Sequence, residues 1–324
     1  LNYSSADGVL FDKAKTILIQ YPLSKKGGYT IPGSVRTIEM AAFCYSKLTS
    51  VVIPDSVTSI GNDAFSYSGL TSIVIGNGVT TIGNGAFKSC GGLTSVVIPD
   101  SVTTIGSSAF EACEGLTNVV IGNDVTTIGD SAFFFCFGLA SVTIPDGVTT
   151  IEGWAFSTCP SLTNVVIGSG VTTIGDYAFE ACDLRSTCFR GDVPAMKSDV
   201  FCYISADTMT VYYPAGNTSW EEVINDDDTW TVDGVDYKAV AVGAPVITYQ
   251  PESQYVDDVG EYVSFSVMAD GDDLSYQWYK DGVAVAGATG SYYSVYNVQM
   301  TDLGTYTVTV SNVMGSVTSN PAFL

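Results

Sequence analysis

The stretch GNGAFKSCGGLTSVVIPDSVTTIGSSAFEACEGLTNVVIGNDVTTIG, residues 83–129, says one thing twice: TTIG, then AF, then C, then LT and a VVI run. Placing the isoleucine that closes each such element in register gives Ile38, Ile60, Ile82, Ile105, Ile128, Ile151 and Ile174, spaced 22, 22 and then four times 23 residues apart. A period of this size marks a solenoid, in which each unit is too small to bury its own apolar face and does so against its neighbours. The fold class expected is therefore mainly β, a leucine-rich-repeat solenoid.

Within one unit, Leu93, Val96 and Ile98 of LTSVVIP follow the L-x-x-L-x-L spacing, and alternate strand residues point inward. Val96 and Ile98 are thus core residues. Two-residue turns follow each strand: Pro54-Asp55, Gly76-Asn77, Pro99-Asp100, Gly122-Asn123, Pro145-Asp146 and Gly168-Ser169. Their alternation implies a duplicated two-turn unit. In SVTTIG, Val102 and Ile105 point inward; in SSAFEAC, Ala109, Phe110 and Cys113 face the core from the convex side.

The segment IPDSVTTIGSSAFEACEGLTNV, residues 98–119, resembles the BspA-like leucine-rich repeats of surface and secreted proteins of bacteria and some protists. The resemblance covers about residues 1–225. DGVLFDKAKTILIQYP (7–22) looks like the irregular segment found in such arrays, and VYYPAGNTSWEEV (211–223) like their closing strand and cap. Since that irregular segment commonly follows earlier repeats, the resemblance implies that LNYSSADGVLF begins inside a longer array.

Composition shifts after NDDDTWTVDGVDYK, and the solenoid at 1–225 is expected to pass through a linker, 226–244, into a second domain, 245–324. The runs YVSFSV, LSYQWY, SYYSVY and GTYTVTV, separated by Gly, Asp and Asn turns, read as a small β-sandwich. TDLGTYTVTVSNVMG resembles the immunoglobulin pattern D-x-G-x-Y-x-C-x-x-x-N-x-x-G, with Asp302, Gly304, Tyr306, Asn312 and Gly315 in place and Trp278 at the strand C position. The resemblance makes Tyr306 the tyrosine corner. Val267 and Val308 stand where that family keeps its disulfide, so packing on Trp278 replaces the bond, as in bacterial immunoglobulin-like domains used as spacers or adhesive modules.

Charge and chemistry narrow the function. With 12 basic against 34 acidic residues the net charge is -22, which repels nucleic acids and anionic membranes, and no apolar run is long enough to span a bilayer. Histidine is absent, which removes the commonest general base and every Ser-His-Asp or Cys-His arrangement. The carboxylate pair Glu221 and Glu222, or Asp226 with its neighbours, is the catalytic chemistry left, a glycan-active enzyme; adjacent acids on a cap read more simply as surface residues. Asp226–Asp228 lack the spaced calcium-loop pattern, although their oxygens suit that ion. Five cysteines, Cys90, Cys113, Cys136, Cys159 and Cys182, recur every 23 residues as a ladder of buried thiols, with neither a C-x-x-C pair nor histidine to hold a metal. Cys188 and Cys202 lie outside it, and a bond between them is left open. No cofactor and no metal are expected.

What remains is a surface. Strand residues pointing away from the core are Ser50 and Val52, Ser72 and Val74, Ser95 and Val97, Asn118 and Val120, Ser141 and Thr143, Asn164 and Val166, Ser186 and Cys188. This uncharged sheet face, centred on Ser72–Val166, is the candidate ligand-binding site. It suits a protein or glycan on a host or neighbouring cell surface. The reading is a non-enzymatic extracellular or cell-surface adhesion or recognition protein with the sandwich as spacer; the alternative is a self-associating subunit of a surface array or filament.

Overall fold

The computed structural model describes residues 3–324; Leu1 and Asn2, where the expected solenoid begins, lie outside the described residues. Two compact units are present, Leu1–Tyr212 with Thr218–Val240 and Tyr213–Asn217 with Ala241–Leu324.

The first unit is a solenoid. One wall is an eleven-stranded sheet that begins with Tyr3–Ala6, Val9–Asp12 and Ile17–Gln20 and continues through the short parallel strands Thr37–Ile38 to Ala195–Met196, one per turn. The opposite wall holds the LTSVVI-type strands in three parallel segments: Gly27–Thr30 to Ser72–Ile75, Ser95–Val97 with Asn118–Val120, and a segment starting at Ser141–Thr143. Register is exact in repeat number: Ile105 lies between Ile82 and Ile128, and Val97 beside Val120. The two short strand residues explain themselves. Isoleucine points in and is fully buried, while the preceding threonines face out, and the Thr80, Thr103, Thr126, Thr149 and Thr172 hydroxyls each donate to the carbonyl of the equivalent residue one turn back.

Between the walls runs the AF element. Phe43, Phe65, Phe87, Phe110, Phe133, Phe156, Phe179 and Phe201 form one stack with ring centroids 4.5 to 6.0 Å apart. From Phe43 to Phe156 their amides bond forward to the alanine of the next turn, as Phe110 N–H does to Ala132 O at 2.7 Å, and Phe179 N–H bonds to Val200 O at 3.0 Å. Ring stacking and backbone pairing thus share one period.

The Pro/Gly alternation has a steric cause. A Cβ on Gly122 would lie 2.4 Å from the carbonyl oxygen of Pro99, and one on Gly168 would lie 2.3 Å from that of Pro145. A turn stacked on Pro-Asp therefore needs glycine. The aspartate completes the contact: Asp55, Asp100 and Asp146 Oδ1 accept the N–H of Asn77, Asn123 and Ser169, each at 2.8 Å.

Residues 226–244, expected to be a linker, are instead largely folded. Thr229–Val232 and Val235–Val242 pair as an antiparallel hairpin. Trp230 and Tyr237 face inward and meet Phe189, Phe201 and Trp220, whose indole N–H donates to Gly191 O at 2.9 Å. The aspartate run dominates the composition there, but alternate apolar residues beyond it close the open end of the aromatic stack.

The second unit holds the sandwich. Ser275–Lys280 pairs with Thr305–Asn312, which also pairs with Gly315–Thr318 and Ala322–Phe323. Val263–Ser266 pairs with Tyr292–Val295, and Val246–Tyr249 with Met268–Asp270. Trp278 is fully buried beside Val308 in a cluster that includes Val267 and Phe265, and its indole N–H donates to Gly290 O at 2.9 Å. The Tyr306 hydroxyl donates to Asp302 O at 2.7 Å, closing the tyrosine corner, and burial pushes its pKa up to about 12.

Two stability outcomes follow from this packing. Gly122→Ala should lower solenoid stability by about 1–3 kcal/mol, whereas Gly91→Ala, whose Cβ would meet nothing within 4 Å, should leave it within about 0.5 kcal/mol. Equal denaturation midpoints for the two variants would contradict the steric account. In the second unit, Trp278→Ala should cost about 3–5 kcal/mol, read as loss of that unit's separate unfolding step in the full chain.

Candidate functional site

The sheet face is built by the period-two alternation of the longer strands. In Ser95–Val97 and Asn118–Val120 the central Val96 and Val119 are buried and the flanking residues are exposed. Ser72, Val74, Ser95, Val97, Asn118, Val120, Ser141, Thr143 and Asn164 are all exposed, and Val166 is half-buried. Val97 is the most open of the valines on this face at 60%. Registers Ser95↔Asn118, Val97↔Val120, Ser141↔Asn164 and Thr143↔Val166 set the outer residues in two ranks, one hydroxyl- or amide-bearing and one mostly β-branched. The polar rank is linked at its far end, where Ser186 Oγ donates to Asn164 Oδ1 at 2.6 Å.

Cys188 departs from the expectation. It shares the register of Val166 and Tyr212 but is only 3% exposed, because larger side chains on both neighbouring strands flank the small thiol. It adds nothing to the face. Among the described residues no cysteine forms a disulfide, with Cys188 on the sheet strand and Cys202 in the AF-type turn.

The face is also not continuous. The parallel sheet divides between Asn118–Val120 and Ser141–Thr143, and a cleft of about 370 Å³ lies there. It is lined by Asn118, Val120, Ser141 and Thr143 together with Asp146 and Arg190. The ranks themselves are uncharged, but the cleft they border is not. Arg190 was readable in principle: its amide bonds to Ile167 O, which aligns it with Gly168, where the alternation calls for proline. Asp146 is already engaged by the Ser169 amide.

The thiol ladder has a structural task. Cys90, Cys113, Cys136, Cys159 and Cys182 Sγ each donate to a phenylalanine carbonyl of the preceding turn, at 3.1 to 3.3 Å. Burial pushes Cys90 up to about 11 and Cys136 up to about 12, which suppresses the nucleophilic thiolate. Glu221 and Glu222 are exposed chain neighbours at the end of the short helix Thr218–Glu221. Asp227 Oδ1 is taken by the Thr229 hydroxyl, and among the described residues no group of three or more acids or thiols is arranged to hold a metal ion.

With this geometry in place, comparison with known proteins is direct. The BspA type leucine rich repeat region matches residues 27–136 and 80–207, in six copies. The chain belongs to the BspA-type leucine-rich-repeat family. An immunoglobulin domain matches residues 244–312. A leucine-rich repeat protein of T. pallidum is 30% identical over 53% of this chain and 81% of its own, with a TM-score of 0.46. One from Bacteroides ovatus is 23% identical over 65% of this chain and 69% of its own, with a TM-score of 0.43. For the second unit, titin M4 is 22% identical over 26% of this chain and 97% of its own, with a TM-score of 0.24. No curated protein matches. The BspA-type and immunoglobulin families are typically non-enzymatic, and leucine-rich-repeat proteins generally bind proteins.

The thiol ladder generates a pH dependence. Free thiols ionise near pH 9, and burial raises the folded values, so the protonated form is favoured by the fold. That contribution is complete below pH 9 and is lost as pH rises from 9 towards 11–12. The solenoid melting temperature should fall over this window, and Cys113→Ala with Cys136→Ala should flatten the fall. An unchanged slope in the double variant would assign the loss to other groups.

Proposed function

We propose that this protein is a non-enzymatic recognition module of the cell surface or extracellular space, whose solenoid sheet face binds a protein or glycan and whose immunoglobulin-like unit serves as spacer. The observation that carries the reading is the pair of uncharged outer ranks from Ser72 to Val166, exposed over successive turns and opening into the cleft at Asn118–Thr143. Leucine-rich-repeat solenoids use such extended surfaces for binding. Rigid rungs fixed from below present side chains at low entropic cost, which favours recognition of a broad surface over chemistry on a small one. BspA-type proteins are typically surface-associated, which supports the location. No helix among the described residues is long and apolar enough to cross a membrane.

The test uses an array of extracellular-matrix proteins and glycans. Val74→Glu with Val120→Glu should abolish capture, because each carboxylate would lose water at the interface without a counter-ion. Stability should move by less than about 0.5 kcal/mol per site, since both valines are exposed. Thr103→Glu with Thr126→Lys, on the opposite wall, should leave capture intact. Unchanged capture by the valine variant would remove the sheet face from the function.

A further inference from the structure

A second surface breaks the repeat symmetry in a way the fold does not require. Each AF turn places two residues in the left-handed region, four apart. The first of these positions is filled by Ala41, Asp63, Gly85, Ser108, Ser131, Trp154, Tyr177 and Asp199 in successive turns, with φ between 51° and 61°. Six of the eight are small or aspartate, which shows what the backbone there needs. Trp154 and Tyr177 are the two bulky residues at this first position, as Tyr45, Tyr67, Phe135 and Tyr203 are at the second. The Trp154 and Tyr177 rings lie parallel, 5.4 Å between centroids and 14° between planes, and Trp154 remains 40% exposed. The two residues sit on adjacent turns joined by Trp154 N–H to Asp176 O at 2.9 Å. The fold holds a flat aromatic step open to solvent.

Charge identifies the occupant. Asp130 Oδ2 lies 3.2 Å from where a Cβ of Gly153 would be, directly beside Trp154, and the Asp176 backbone flanks the other side. Glu152 and Asp130 form one edge of an adjoining cleft of about 380 Å³. The nearby Asp199 carboxylate raises the Tyr177 phenol pKa, with Glu180 adding to the same effect. The nearest base by register is Lys197, whose amide bonds to Ile174 O, one turn beyond Glu152's neighbour Gly175. An exposed indole–phenol step ringed by acids on a chain of net charge -22 repels anions and attracts cations over the ring faces.

We infer that Trp154 and Tyr177, bordered by Asp130, Glu152, Asp176 and Asp199, form a docking site for a basic polypeptide segment, with an arginine or lysine side chain lying over the rings. The site is on a different wall from the proposed sheet-face surface and does not depend on it.

The assay is built into the chain. Of its four tryptophans, Trp220, Trp230 and Trp278 are buried, so acrylamide quenching reports Trp154. Titration of the full chain with an Arg-Gly-Arg-Gly-Arg-Gly peptide at physiological salt should protect Trp154 from acrylamide, and a Glu-Gly peptide of the same length should not. Measured by anisotropy of the labelled arginine peptide, Trp154→Ala with Tyr177→Ala should weaken binding at least tenfold, while Trp154→Tyr should stay within threefold of wild type. Asp226→Asn with Asp227→Asn and Asp228→Asn removes charge elsewhere and should leave the affinity unchanged. Three results would each overturn the assignment: unchanged affinity in the double alanine variant, an equal loss in the triple asparagine variant, or protection by a neutral oligosaccharide but not by the arginine peptide.

Discussion

A single turn of this chain has apolar residues facing both of its neighbours and no core of its own, so the contact between successive turns carries the fold. Phe110 is fully buried only because Phe87 and Phe133 stack on either side of it, and Ile105 because Ile82 and Ile128 do the same on the wall. Hydrophobic burial and backbone pairing are here one event with one period. Removing a turn would expose two apolar faces at once. The ends need separate treatment, and the aromatic cluster of Phe189, Trp220 and Trp230 supplies it at the carboxyl end of the solenoid.

Once the period is fixed, polar groups must be satisfied across it, and this selects residue types more strictly than burial does. The ladder cysteines are small enough for the core and carry a donor that reaches the phenylalanine carbonyl of the turn before. Where the rank begins, serine takes the position: Ser68 contacts Cys90 Sγ, and Ser46 Oγ is buried without a partner. Threonine, aspartate and asparagine do equivalent work on the other walls, as Asn62 and Asn84 show by accepting the amides of Asn84 and Ser107. Repetition at these positions is therefore a consequence of backbone satisfaction and carries no chemistry of its own.

The parts legible in the sequence are those that repeat or that match a family pattern. Val96, Ile98, Phe110 and Cys113 are buried as their spacing required, and Trp278 and Tyr306 make the hydrogen bonds their motif implied. What escaped reading is what happens once. The cap hairpin was hidden because Asp226–Asp228 dominate local composition, although Trp230 and Tyr237 behind them are buried. Cys188 obeyed the outward register yet was covered, since register fixes direction and the neighbours' size fixes exposure. The division of the sheet beside Asn118–Val120 depends on three-dimensional fit between turns, which no local period encodes, whereas Arg190 breaks a rank that the alternation does encode.

The two candidate surfaces also differ in what their exposed apolar residues say. Valine at positions 74, 97 and 120 lies on strands, where β-branched side chains are favoured for their backbone alone, so its exposure has a ready structural cause. Trp154 and Tyr177 have none: the left-handed backbone disfavours them, the six sister turns place no aromatic ring at that position, and the aromatic area they expose is not recovered in the core. In an array whose structural positions are set by repetition, a residue that departs from its rank at a cost to the fold is where selection for something other than folding becomes visible.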